Sequence, residues 1–266
     1  MALPTYESKT CRVYTSYETA NPPPHPGPSW TRFICISDTH SVVYEVPPGD
    51  VLLHSGDLSS WGERRQLDKT LKWLEGLPHQ TKIIIAGNHD LCLDEDWAEG
   101  GSMANKMGGG LSAKEVSSSR KRVRHAKGIH YLEYETLRFT APSGRTWEVY
   151  GSPAVPRHVM GAFQYEGTQE AQAIHSRIPS TTEILLTHTP PHGICDKTKR
   201  RVHAGCAVLA TQLTKDEFNH CRLHVFGHIH EAHGTHVMGL GAAGERVSVN
   251  AAMPDSEVAV IVDLLN

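Results

Sequence analysis

Five short apolar runs in this chain each stop at a cluster of Asp, His or Asn, and this repeated ending restricts the fold more than any other feature. The clearest is KIIIAGNHD, Lys82 to Asp90. Ile83, Ile84 and Ile85 form a β-branched run suited to a strand covered on both faces, and Ala86-Gly87 closes it just before Asn88, His89 and Asp90. ICISDTH (Ile34 to His40), VLLHSGD (Val51 to Asp57), ILLTHTP (Ile184 to Pro190) and LHVFGHIH (Leu223 to His230) repeat the design. In open α/β sheets, ligands sit in the crevice beyond the carboxyl ends of the strands. The five endings are therefore expected to meet at one polar site, and their spread from Asp38 to His230 puts that site in one catalytic domain.

The polar endings are Asp38, His40, Asp57, Asn88, His188, His228 and His230. Carboxylate, imidazole and amide oxygen without thiolate suit divalent Mn, Fe or Zn. Asp38-x-His40 can aim a carboxylate and an imidazole at one cation, because alternate residues of an extended turn point the same way. Gly56, Gly87 and Gly227 each stand immediately before a candidate ligand, where a missing side chain lets the backbone approach a crowded centre. With 18 histidines, any one pair carries little weight, and a hydrogen-bonded polar group at a strand end explains each residue singly as well as ligation does. That explanation is hard to hold for all five segments together. So many ligands over-supply one ion, whereas two ions about 3.5–4 Å apart and bridged by a carboxylate would each keep a position open for water.

The remaining sequence frames this site. Residues 1–30 end in the proline cluster NPPPHPGPSW and read as an extended arm, packed by Tyr14, Tyr17 or Trp30 on a domain spanning 31–266. Leu67, Leu71 and Leu74 recur at helical spacing and predict a covering helix over Glu63 to Leu77. Residues 100–128 read as a flexible loop, GGSMANKMGGG, followed by a basic helix that Ser112 and Glu115 could cap; a solvated helix face explains its charges better than a basic lip for a phosphorylated substrate. Ile129 to Gly151 reads as a β-meander, and the strands at the end of the sequence as completing a second sheet. Within Ser152 to Tyr165, rich in Pro and aromatics, Arg157, His158, Phe163 and Tyr165 are candidate substrate contacts. A formal charge of −3 and 39% hydrophobic residues indicate a soluble globular chain, with no membrane association and no stable nucleic-acid partner implied. Six cysteines without CxxC spacing are expected as free thiols, and the opening MALPTYESKT lacks a positive segment followed by an apolar one, which together predict a cytoplasmic protein.

Asp38-x-His40, Gly56-Asp57, Gly87-Asn88-His89-Asp90, His188 and Gly227-His228-x-His230 stand in the order of the calcineurin-like metallophosphoesterases. The longer strings FICISDTHS, DVLLHSGD, KIIIAGNHD, LLTHTPP and LHVFGHIHEAHGTH resemble the MPPED (metallophosphoesterase-domain-containing) branch in particular. The resemblance runs from about Arg32 onwards and thins across Gly100 to Gly128. It implies an α/β fold, a four-layer α-β-β-α sandwich of two mixed sheets. It also implies that Asp38, His40 and His230 hold one metal, that Asn88, His188 and His228 hold the other, and that Asp57 bridges them. His89 would be the catalytic imidazole, with Asp90 orienting it. Branch members with glycine at the place of His228 would lack a ligand; here the set is complete. Others carry Glu where Asp90 stands.

The implied activity is that of a dinuclear-metal phosphoesterase, first of all a phosphodiesterase, in which metal-bridged hydroxide attacks the phosphorus of a small phosphate ester or nucleotide and Mn is the favoured metal. Two other readings stay open: a metal-dependent hydrolase or lyase acting on a non-phosphate metabolite, and a metal- or nucleotide-binding regulatory module with weak activity.

Overall fold

From Thr31 onwards the strand Trp30–Ile36 is buried at every residue, yet its side chains go two ways. Phe33 and Cys35 join one apolar cluster, Ile34 and Ile36 another. Ile83 and Ile85 side with Phe33, and Ile84 with Ile34. Such strands need a packed layer on each face, which is why they lack polar alternation.

The computed structural model describes residues 3–107, 110–241, 244–254, 256 and 258–266. The elements are β1 (Tyr6–Glu7), β2 (Cys11–Tyr14), β3 (Trp30–Ile36), β4 (Val51–His54), α1 (Arg64–Gly76), β5 (Thr81–Ile84), α2 (Ser102–Met107), α3 (Ala113–Arg124), β6 (His130–Tyr131), β7 (Glu135–Thr140), β8 (Thr146–Ser152), β9 (Val155–Pro156), β10 (Gln164–Tyr165), α4 (Gly167–His175), β11 (Ile184–Thr187), α5 (Ala207–Leu213), β12 (Leu223–Phe226), β13 (Gly234–Gly239), β14 (Glu245–Asn250) and β15 (Val260–Leu265). One sheet has the order β1-β2-β15-β3-β4-β5-β6 and the other β13-β14-β12-β11-β8-β7. β3 to β6 run parallel in the first, and β14, β12, β11 and β8 in the second; β15, β13 and β7 run antiparallel to their neighbours. Phe33, Val51, Ile83, Trp147, Ile184 and Val225 meet between the sheets. Leu67, Leu71 and Leu74 of α1, with Val123 of α3, cover the outer face of the first sheet, and Ala171 of α4 with Leu209 and Leu213 of α5 cover that of the second. The result is a four-layer α-β-β-α sandwich.

Several sequence expectations need correcting. The boundary at residue 30 does not separate an arm from the domain, because β2 pairs with β15 inside the first sheet. The proline segment is clamped from within: the Arg32 guanidinium donates to the carbonyls of Pro23 and Pro24 and to both oxygens of Asp263. Tyr17 donates its hydroxyl proton to the Ala259 carbonyl. β15 enters the first sheet rather than completing the second, consistent with its burial on both faces. The expected meander also divides: β6 joins the first sheet beside β5, Tyr134 at φ 58° turns the chain, and β7 with β8 forms a hairpin in the second.

The glycine-rich loop contains α2, while Gly108 and Gly109 lie outside the described residues. Ser112 accepts from the Glu115 amide at the start of α3. The arginines of α3 are ion-paired rather than free as a basic lip, Arg120 with Glu95 and Glu133, Arg122 with Asp68 and Glu75, and Arg124 with Glu135, while Lys121, Arg124 and His125 stay exposed to solvent. Among the described residues, no helix is long and apolar enough to cross a membrane. All six cysteines are free, and five are buried.

Candidate metal centre

The ends of β3, β4 and β5 in one sheet and of β11 and β12 in the other converge, and the backbone leaves each by a sharp turn. Asp38, His40, Asp57 and His228 all have left-handed φ, at 55°, 47°, 54° and 67°. Such conformations cost of order 1–3 kcal/mol each in a non-glycine residue and persist only where the surroundings impose them. Here backbone bonds between strand ends impose them: the Asp38 amide donates to the Gly56 carbonyl, the His40 amide to that of Asp57, and the Gly227 amide to that of His188. The glycines are steric requirements. A Cβ on Gly87 would overlap Asp57 Oδ1 and stand 2.6 Å from His188 Cε1, and one on Gly227 would overlap Asp38 Oδ2 and Ser37 Oγ.

Ligand atoms of Asp38, His40, Asp57 and His230 all lie within 4.8 Å of one another. His40 Nε2 is 3.3 Å from His230 Nε2, which is 3.2 Å from Asp38 Oδ1. Donors held about 2.1 Å from a shared cation stand roughly 3.0–3.4 Å apart, so these spacings fit a ligand shell. Asp57 faces both ways, with Oδ2 at 3.7 Å from His40 Nε2 and Oδ1 at 3.3 Å from His188 Nε2. Asn88 Oδ1 lies 3.0 Å from the same His188 nitrogen, and the His228 ring centroid is 5.1 Å from that of His188. His188 Nδ1 is bonded at 2.8 Å to the Ser55 carbonyl, which fixes the tautomer that offers Nε2 to a metal. The His228 amide donates to both Asp38 oxygens.

Without a cation, the charges in the site compensate one another. Burial would raise the Asp57 carboxyl, but His188 beside it holds it well below the usual carboxylate range. Burial lowers the His188 imidazole, and Asp57 and Asp38 more than offset this, lifting it to about 9. Burial and the proximity of His188 push His228 down to about 4. A buried imidazolium thus answers two buried carboxylates, a position that a divalent cation fits. Asp57 stands between the two groups of donors.

Residues 31–232 match the calcineurin-like phosphoesterase family. The chain belongs to that family. It is 33% identical over 273 residues to human metallophosphoesterase domain-containing protein 1, covering 93% of this chain and 78% of that protein. It is 35% identical over 207 residues to probable rhamnogalacturonate lyase C of Emericella nidulans, covering 78% of this chain but only 18% of that much longer protein. TT1561 of Thermus thermophilus shares the fold, with a TM-score of 0.51, 13% identity, and 83% and 88% of the two chains covered.

Within this candidate centre, His89 is held differently from the sequence expectation. Its Nδ1 lies 2.6 Å from the Ser60 carbonyl, and its amide donates to Asp57 Oδ1. Asp90 makes no bond to the His89 ring. Instead its carboxylate accepts from the amides of Leu58, Ser59 and Gly87 and from the Ser59 hydroxyl, fixing the loop whose next residue positions His89. A carboxylate drawn to three buried amides is not free to reach the ring. Burial, with Asp57 nearby, pushes the Asp90 carboxyl up to about 6.

The four substrate candidates do not form a wall of this site. Phe163 and Tyr165 are buried in apolar clusters. Arg157 is paired with Glu166, and Arg157, His158 and Tyr165 line a cavity with Cys206 that includes none of the metal-donor residues. Their loop touches the site through its backbone, where the Ala162 amide donates to the Asn88 carbonyl. The cleft that does adjoin the centre, about 980 Å³, is lined by His40, Ser60, Val42, the acids Glu63 and Asp68, and the α1 cations Arg65, Lys69 and Lys72. Those cations recur at helical spacing, a signal the sequence carried unread. Asn250 donates to the Ile229 carbonyl between His228 and His230.

Proposed function

We propose that this chain hydrolyses a small phosphate ester, a phosphodiester by preference, at a centre of two divalent cations. The observation that carries the reading is Asp57, whose two oxygens face the imidazoles of two separate donor groups. When bound, a pair of divalent cations supplies a deprotonated water as nucleophile and compensates charge on the phosphoryl oxygens. Asp38, His40 and His230 would hold one ion, Asn88, His188 and His228 the other. The Ser60 carbonyl occupies Nδ1 of His89, so the proton it can give to a departing alkoxide is the one on Nε2. The adjoining cleft offers room for the second substituent of a diester, and Arg65, Lys69 and Lys72 favour an anionic one. Mn suits the oxygen-and-imidazole donors, and the free thiols suit the cytoplasm.

The lyase named among the relatives contributes little to this assignment, because the match covers 18% of that protein. The test is metal analysis with turnover of bis(p-nitrophenyl) phosphate. Protein saturated with Mn is expected to hold two ions per chain and to lose activity on chelation. One ion at saturation with full activity would refute the dinuclear reading. His228→Gly should weaken one site and reduce turnover sharply.

A further inference from the structure

Trp61 directly follows Ser60 and is 65% exposed, whereas the other four tryptophans are buried or half-buried. Its ring centroid lies 5.5 Å from that of His89, with the planes inclined at 52°. The indole thus meets the imidazole while most of its surface faces water. Its loop is fixed, because the Trp61 amide donates at 2.8 Å to Gln66 Oε1 on α1. Val42, 48% exposed, lines the adjoining cleft with His40 and Ser60. A large aromatic ring held in place beside a reacting group, with one side uncovered, has the form of a stacking platform.

We infer that Trp61 sets substrate specificity by stacking on a planar ring in the alcohol portion of the ester, so that the enzyme takes aryl or nucleoside esters in preference to those of small aliphatic alcohols. The inference rests on the phosphoesterase reading, because His89 is the residue placed for the leaving oxygen and Trp61 is its neighbour. A ring within a few bonds of that oxygen reaches the indole. Stacking on an aromatic side chain tolerates many ring types, since every flat ring has a π-face.

The experiment compares benzylphosphonate with ethylphosphonate, two anions that cannot be hydrolysed, by calorimetric binding to the Mn-loaded protein. The benzyl compound should bind about tenfold tighter, in line with stacking of one ring. Trp61→Ala should bring the two affinities together while leaving that for ethylphosphonate and the metal content unchanged, and Trp61→Phe should restore most of the preference. Equal binding of the two ligands to the unaltered protein would overturn the inference and leave the phosphoesterase reading standing. So would a preference that survives in Trp61→Ala. If neither phosphonate bound, the stacking inference would fall, and turnover of bis(p-nitrophenyl) phosphate would decide the phosphoesterase reading separately.

Discussion

Of the side chains at the strand ends, His89 is the one assigned to proton transfer rather than ligation, and its tie to the Ser60 carbonyl gives it a testable signature. An alkoxide leaving group needs a proton in the transition state, whereas a nitrophenolate departs without one. General acid catalysis contributes about 10²- to 10⁴-fold, so His89→Ala should lose that much kcat on an alkyl phosphodiester and far less on an activated aryl ester. Metal content should not change. Equal losses on the two esters would assign His89 to charge stabilisation instead, and loss of an ion would make it a ligand. The residue types and their order were readable from sequence because ligands must be Asp, His or Asn whatever surrounds them. The partner of His89 was not, because a backbone carbonyl has no residue identity.

At the level of elements, the sharp turns after β4, β5 and β12 depend on glycine beside the ligands. Gly227→Ala would put a methyl group onto Asp38 Oδ2 and Ser37, in a site with no room to yield. Overpacking of this kind costs roughly 1–3 kcal/mol, and the displaced Asp38 should also weaken metal binding. Gly76→Ala, at the end of α1 with nothing within 4 Å of the new Cβ, should leave both nearly unchanged. Thermal unfolding and metal titration of the two variants would check the contrast. The same glycines made the strand ends legible, since apolar run, glycine and ligand follow one another directly. Sheet membership was harder to read: β15 and β14 look alike in sequence, yet β14 pairs with the nearby β12, whereas β15 pairs with β3, over two hundred residues away. Likewise, the arginines of α3 find their acids on α1 and β7, which no local pattern shows.

For the molecule as a whole, buried neutral histidines set its response to acid. Burial lowers His175, the last residue of α4, to about 4, and lowers His224 well below its usual value. Between pH 6.5 and 4 the unfolded chain binds a proton at His175 that the folded chain refuses, so stability falls as pH falls through this window. His175 alone accounts for roughly 2–3 kcal/mol between pH 7.5 and 4.5. His175→Gln keeps an acceptor for the Tyr165 hydroxyl and Cys206 thiol, and denaturant unfolding at the two pH values should show its stability loss smaller by that amount.

The position of β15 also bears on synthesis. Arg32 and Asp263, which join β3 to it, are 231 residues apart. Domains tend to fold as they emerge from the ribosome, but contacts so distant in sequence cannot form until both partners exist. β4, β5 and α1 can begin to pack beside β3 early, while the other edge of β3 stays unpaired. Translation must reach residues 260–265 before the strand that leads into Asp38 gains its second neighbour.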